Sequence, residues 1–182
     1  MENEFYKPGY LEVFCGPMRS GKTFELINRF SKLKYANIGF KLFSPSLDTR
    51  ANTITSRNGN SIDSIKIDKA NEIITHLDDN DKVIGIDEAQ FFDEEIKEIV
   101  MRLLLERRNV VIAGLDSDAK RQPFGSMDFF LREADSVKKL AAACEVCQGR
   151  GRYTKRLVDD DSTILVGDKE YSARCRQHYL DD

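Results

Sequence analysis

The sequence predicts an α/β domain, a parallel β-sheet covered by helices on both faces, followed by a small cysteine-bearing C-terminal module. Three observations lead there. Short apolar segments without polar alternation, such as Lys82-Val83-Ile84-Gly85-Ile86 and Val110-Val111-Ile112-Ala113, take turns along the chain with segments of helical periodicity, as strands buried on both faces do. Gly16-Pro17-Met18-Arg19-Ser20-Gly21-Lys22-Thr23 satisfies G-x-x-x-x-G-K-[ST] between the first such strand and the first such helix. Beyond about Lys138 the apolar rhythm breaks into short extended pieces, and Cys144, Cys147, Cys175 and His178 gather there.

Taken in order, Leu11 to Cys15 reads as a buried strand that stops at Gly16-Pro17. Phe24, Leu26, Ile27, Phe30 and Leu33 then recur at helical spacing. Gly39 to Ser44 is the next strand, and Pro45 to Asn60 is a polar loop with Asn58-Gly59 as a turn signal. Ile62 to Ile67 alternates weakly as one strand, and Ala70 to Leu77 is helical in pattern. After the strand at 82–86, Ile96, Ile99, Val100, Leu103 and Leu104 mark one face of a helix that leads into the strand at 110–113. The expected division is a nucleotide-binding α/β domain over residues 1–137 and a metal-binding module over 138–182.

Bulk properties narrow the function. A chain of 182 residues buries a core without disulfides, and 28 Lys+Arg against 31 Asp+Glu, a net charge of −3, argue against a protein that mainly grips phosphate backbones. No apolar run approaches the ~18 residues needed to cross a bilayer. The opening Met1-Glu2-Asn3-Glu4-Phe5-Tyr6 lacks a basic segment followed by an apolar one, so a cytoplasmic location is expected. Thiols in a reducing compartment serve as ligands or core residues more often than as disulfides.

The glycine loop carries the chemistry. Its N–H groups would close around phosphate oxygens at a helix N-terminus; Lys22 would reach the β/γ-phosphates of a nucleotide and Thr23 would ligate Mg²⁺. A chance match in a chain this long is on the order of 1%. Ile84-Gly85-Ile86-Asp87-Glu88 puts two carboxylates at a strand end, the side of an α/β sheet where ligands bind, with Asp87 suited to the Mg²⁺ shell and Glu88 to a general base. Cys144-x-x-Cys147 and Cys175-x-x-His178 are two hooks that together supply a closed, structural Zn²⁺ tetrahedron. Cys15, inside a strand, is a core residue. The run Arg150-Gly151-Arg152-Tyr153-Thr154-Lys155-Arg156 interleaves an aromatic with cations and reads as a solvated hairpin unless a small anionic ligand lies against it.

The phosphate loop, Ser44-Pro45 through Asp48-Thr49-Arg50, Asp87 to Phe92, Gly114-Leu115-Asp116, Pro123-Phe124-Gly125, Ala134 to Leu140, Tyr153 to Arg156, and Tyr171 with Cys175-Arg176 stand in one order on one chain. From about Leu11 to Tyr179 this resembles the type II, zinc-containing thymidine kinases. The resemblance implies a RecA-like core with a zinc-ribbon or lasso module. It implies γ-phosphoryl transfer from ATP, with Mg²⁺, to the 5′-hydroxyl of thymidine or deoxyuridine, feeding DNA synthesis by nucleotide salvage. A homotetramer inhibited by dTTP is expected, with no membrane and no stable nucleic-acid partner.

Residue by residue, the resemblance places Gly16, Met18, Arg19, Ser20, Gly21, Lys22, Thr23, Asp48, Arg50, Asp87 and Gln90 with ATP and its metal, and Glu88 as the base. Met18, Phe91, Leu115, Phe124, Thr154, Gly167 and Tyr171 line the nucleoside pocket, with a lasso loop from Thr154 to Tyr171. The chain departs from the family at Ala119, where an aromatic is common, at Arg19, where a small or aromatic residue is frequent, and in a lasso one residue short before Tyr171. The alternative from another class is a P-loop ATPase whose zinc module works on nucleic acid.

Overall fold

β-branched and aromatic runs too short for helices become the strands, and the amphipathic stretches between them become the covering layers. The computed structural model describes residues 6–47, 53–55, 59, 61–158 and 169–181. In chain order these form β1 (Leu11–Cys15), α1 (Lys22–Tyr35), β2 (Phe40–Pro45), β3 (Thr53–Thr55), β4 (Ser61–Asp63), β5 (Ile65–Ile67), α2 (Glu72–Thr75) and β6 (Val83–Ile86). After a 3₁₀ turn at Ala89–Phe91 come α3 (Ile96–Leu105), β7 (Asn109–Gly114), α4 (Met127–Glu133), β8 (Ser136–Lys139), β9 (Ala142–Ala143), β10 (Arg150–Gly151), β11 (Tyr153–Arg156), β12 (Tyr171–Arg174) and α5 (Arg176–Leu180).

Six strands make one sheet in the order β5-β2-β6-β7-β1-β8, every pair parallel. Alternate residues feed two cores. Leu11, Val13, Cys15, Ile84, Ile86, Val110 and Ile112 pack beneath α2, α3 and α4, whereas Phe14, Val83, Val111 and Ala113 pack against Leu26, Ile27, Phe30 and Leu33 of α1. Burial of both faces is why these strands show no polar alternation. Gly85 lets α1 approach closely, since a Cβ there would lie 2.6 Å from the Phe30 ring. Cys15 is fully buried, and burial, with Asp116 nearby, pushes its thiol up to about 11; it is a core residue.

Four details differ from the periodicity reading. Phe24 is 37% exposed, and its place on the buried stripe of α1 is taken by the Lys22 stem and Leu26. The stretch 62–67 is two strands parted at Ser64, because β4 pairs antiparallel with β3 while β5 joins the main sheet beside β2. β3 lies inside the segment expected to be a polar loop, and Ile54 anchors it in the α1-side core. α4 and β8 were not expected as elements, although Met127, Phe130, Leu131 and Ala134 follow helical spacing and pack on the α3-side core. β8 pairs with β1 as far as Lys139, so the division expected at 137/138 falls within a strand.

The C-terminal module is built on two short antiparallel ladders, β9 with β10 and β11 with β12. Glu145 N–H donates to the Ala173 carbonyl, 3.0 Å, and so ties one ladder to the other.

Candidate functional site

The phosphate loop runs from the end of β1 into α1. Gly16 has φ 146°, and a Cβ there would lie 2.7 Å from the Leu140 carbonyl oxygen, so only glycine fits the close approach of loop and β8 end. Gly21, at φ 86°, is the residue before α1. Lys22 is buried, and its Nζ donates to the Pro17 carbonyl at 2.9 Å, folding the ammonium back over the loop. Burial pulls its pKa below the ordinary lysine value, opposed by the charges of Glu88, Asp87 and Asp116. The Ser20 hydroxyl is buried without a hydrogen-bond partner. An orphaned hydroxyl in a glycine loop that opens a helix fits an anion, which would satisfy it.

The acid pair stands at the end of β6, with β7 between it and the phosphate-loop strand. Asp87 is buried, and Thr23 Oγ1 lies 3.5 Å from its Oδ2, so the two oxygens assigned from sequence to one cation do come together. Glu88 takes a left-handed backbone, φ 49° and ψ 43°, an uncommon conformation for a residue other than glycine and one found at functional turns.

Gln90 explains how that turn is held. Its Nε2 donates to Glu88 Oε2 at 2.6 Å, and its Oε1 accepts from Leu115 N–H at 3.0 Å. With both amide ends engaged and the side chain 3% exposed, Gln90 stands behind Glu88 and bridges it to the loop after β7. Gly125 seals the arrangement: a Cβ on it would lie 2.3 Å from the Gln90 carbonyl oxygen. The same packing sets Phe91 and Phe124 edge to face, centroids 5.5 Å apart at 84°, two of the walls expected for a nucleoside.

Thr154 and Tyr171 are buried on the paired strands β11 and β12. Thr154 Oγ1 accepts from Met18 N–H at 3.0 Å, so its hydroxyl fastens the phosphate loop to the C-terminal module. Tyr171 OH accepts from Arg156 Nη2 at 3.1 Å. At Ala119, where an aromatic wall is absent, the carbonyl accepts from Tyr179 OH at 2.7 Å, and the Tyr153 and Tyr179 rings stand 5.3 Å apart nearby. Asp48, Arg50 and Gly167 lie outside the described residues.

Both hooks of the C-terminal module converge. The ligand atoms of Cys144, Cys147, Cys175 and His178 all lie within 4.8 Å of one another. Cys147 Sγ is 3.9 Å from Cys175 Sγ, and His178 Nδ1 is 3.2 Å from Cys175 Sγ and 3.8 Å from Cys144 Sγ. Ligands around tetrahedral zinc stand about 3.5–3.8 Å apart, given the Zn–S and Zn–N distances, so the Cys₃His set is compatible with a zinc site. Burial pushes the Cys144 thiol up, but the backbone N–H groups of Cys147, Cys175 and Val146 outweigh it and bring the pKa down to about 6.

A second tie between phosphate loop and metal hook was not visible in the sequence. Arg19, in the left-handed region at φ 63°, pairs through Nη1 with Glu145 Oε1, and Glu145 sits inside the Cys144-x-x-Cys147 hook. Glu145 Oε2 also accepts from Ser172 Oγ of β12 at 2.9 Å. Burial raises the Glu145 pKa, but the Ser172 hydroxyl and Arg19 outweigh it and hold the carboxyl below its ordinary value. A depressed carboxyl stabilises the fold above its unfolded pKa of roughly 4.3 and loses that contribution as pH falls through the lower folded value. With both side chains partly exposed, a double-mutant cycle of Arg19→Ala and Glu145→Gln in urea unfolding at pH 7 is expected to give a coupling of about 0.2–1 kcal/mol. The coupling should shrink as pH is lowered through the depressed folded value and Glu145 takes up a proton, and coupling that stayed constant down to acid unfolding would rule out the ion pair.

The family model for thymidine kinase matches residues 9–179. A thymidine kinase of Mycoplasma genitalium is 45% identical over 179 residues, covering 95% of this chain and 84% of that protein. A thymidine kinase of Mycoplasmoides gallisepticum is 42% identical, with 94% and 81% covered. A thymidine kinase of Ureaplasma urealyticum serovar 10 is 40% identical, with 95% and 83% covered. With a phosphate loop, an acid pair facing it and a Cys₃His cluster in one structure, and with matches of this length to it, the chain belongs to the thymidine kinase family.

Proposed function

We propose that this chain transfers the γ-phosphoryl of ATP to the 5′-hydroxyl of thymidine, and of deoxyuridine, releasing ADP and the nucleoside monophosphate. The observation that carries the reading is Glu88: a carboxylate set by Gln90 at a strand end, near enough for its charge to act on Lys22, and next in sequence to Asp87, which meets Thr23. Lys22 leaves the Pro17 carbonyl for the β/γ-phosphates, and the Ser20 hydroxyl with the loop N–H groups holds the remaining oxygens. Thr23 and Asp87 hold Mg²⁺, which when bound screens the charge of the phosphates. Glu88 takes the proton of the 5′-hydroxyl as it attacks. Asp48 and Arg50 assist at the transferring phosphate. Phe91, Phe124, Leu115, Met18 and Tyr171 enclose the nucleoside, while Gln90 acts through Glu88.

A coupled ADP-release assay separates this from the P-loop ATPase reading. Release that requires thymidine supports the kinase, and release that requires DNA supports the ATPase. A cytoplasmic homotetramer under dTTP feedback belongs to the same proposal, tested by sizing the chain in solution and by dTTP inhibition. Purine nucleosides should be refused, because a closed pocket of fixed donors and acceptors leaves a wrong base unpaired as well as too large. Turnover of deoxyadenosine at a rate near that of thymidine would contradict the pocket.

Cys144, Cys147, Cys175 and His178 hold one structural Zn²⁺ per chain. The four protein ligands leave no open position, so its contribution is to folding rather than chemistry. Cys175→Ser is expected to abolish zinc retention on metal analysis, and also to raise the KM for both substrates, because β11, β12 and Thr154 are fastened to the phosphate loop through the same module. A fully active, stable chain purified without zinc would exclude this role.

A further inference from the structure

A second recess lies beside the site. About 520 Å³ in volume, it is lined by Asp116, Arg121, Lys139, Arg152, Tyr153 and Arg176 among others. Its size falls in the range that holds small ligands. The charge is lopsided: Asp116 is the one carboxylate among the lining residues, and Lys139 Nζ already pairs with it at 2.6 Å. The three arginines lie beyond that pair, in a chain whose net charge is −3.

Those arginines come from three different elements, and the guanidinium groups of Arg121 and Arg176 are held in place. Arg121 sits at φ 63° in a turn fastened by Asp118, whose Oδ1 accepts from Lys120 N–H and Gln122 N–H at 2.9 and 2.7 Å. Its guanidinium lies 5.1 Å from the Tyr153 ring centroid and 5.7 Å from that of Tyr179. Arg176, on α5, donates through Nε to Tyr153 OH at 3.2 Å. Arg152 stands between β10 and β11, its backbone N–H fixed on the Arg174 carbonyl at 2.8 Å. Stacked or tethered guanidinium groups lose little freedom on binding, and their forked N–H donors match phosphate oxygens better than any other common anion.

We propose that this recess is a binding site for a small phosphate-bearing polyanion, separate from the phosphate loop and centred on Arg121, Arg152 and Arg176. The aromatic face of Tyr153 forms one wall, and the Asp116–Lys139 pair closes the floor. The basic run around Tyr153 is thereby part of a ligand site rather than a solvated hairpin.

The test is calorimetric titration of the full, zinc-loaded chain with inorganic pyrophosphate, the phosphate loop first saturated with a non-hydrolysable ATP analogue and thymidine. One further equivalent of pyrophosphate should bind, weakening with added salt. Arg152→Glu should weaken that step by about tenfold or more, the usual value of a charge-assisted hydrogen bond, and Arg121→Gln should weaken it similarly, while both leave the KM for ATP and thymidine unchanged. Competition by dTTP would identify a nucleotide as the source of the phosphates, and absence of competition a free polyphosphate. No uptake once the phosphate loop is filled, uptake indifferent to both substitutions, or a preference for a single-stranded oligonucleotide would overturn the proposal.

Discussion

Lys22→Ala is expected to abolish phosphoryl transfer and leave the chain folded. The ammonium belongs to a buried residue of the phosphate loop, where low exposure makes its charge count for more than it would in water. Burial lowers its pKa while the charges of Glu88, Asp87 and Asp116 oppose that shift, so an anion placed against it would favour the charged form further. Losing one such donor costs at least about 10²–10³-fold in kcat, and ATP affinity should fall as well. Because the substitution leaves three carboxylates facing one another, Lys22→Met, which keeps the packed stem, is the companion variant. Unfolding midpoints near that of the parent, with turnover lost in both, are the expected result; near-normal kcat in either would show that phosphate is held elsewhere.

Glu88→Gln should lose about 10²–10⁴-fold in kcat, the usual worth of a positioned base, with binding largely kept. The replacement retains shape and can still accept from Gln90 Nε2, now at 2.6 Å from the carboxylate, so the left-handed turn at φ 49° survives while proton acceptance is lost. Titrating the variant separately with ATP and thymidine, beside its turnover number, distinguishes chemistry from binding. Unchanged kcat would assign the base to another group, and weakened thymidine affinity with normal kcat would make Glu88 a binding residue only. Gln90→Ala supplies the complement: it should lower kcat less than Glu88→Gln and broaden the pH profile, because the base remains but its orientation is released.

Much of this molecule was readable from local patterns. Strand β1, the glycine loop and α1 are consecutive, so their apolar spacing, turn residues and phosphate motif lie within 25 residues, from Leu11 to Tyr35. The same holds for β6 with Asp87 and Glu88, for α3, for β7, and for each metal hook taken by itself. Two-residue gaps between ligands are set by one tight turn, and that is a property of the chain's near neighbours.

The tertiary structure alone decided which neighbours meet across the chain. Periodicity could not say that β7 inserts between β1 and β6, that residues 62–67 divide because β3 claims β4, or that α1 buries the Lys22 stem in place of Phe24. The resemblance places Gln90 with the nucleotide, and only the structure shows that its amide also bonds Glu88 and Leu115, a residue 25 positions away. Met18 meets Thr154 across 136 positions and Arg19 meets Glu145 across 126. Contacts of that range depend on how sheet and module pack, and no spacing rule within a helix or strand encodes them. The phosphate motif and ligand types are therefore sequence properties, whereas the orientation of the base and the fastening of the phosphate loop to the metal hook arise only when distant side chains are packed into one core.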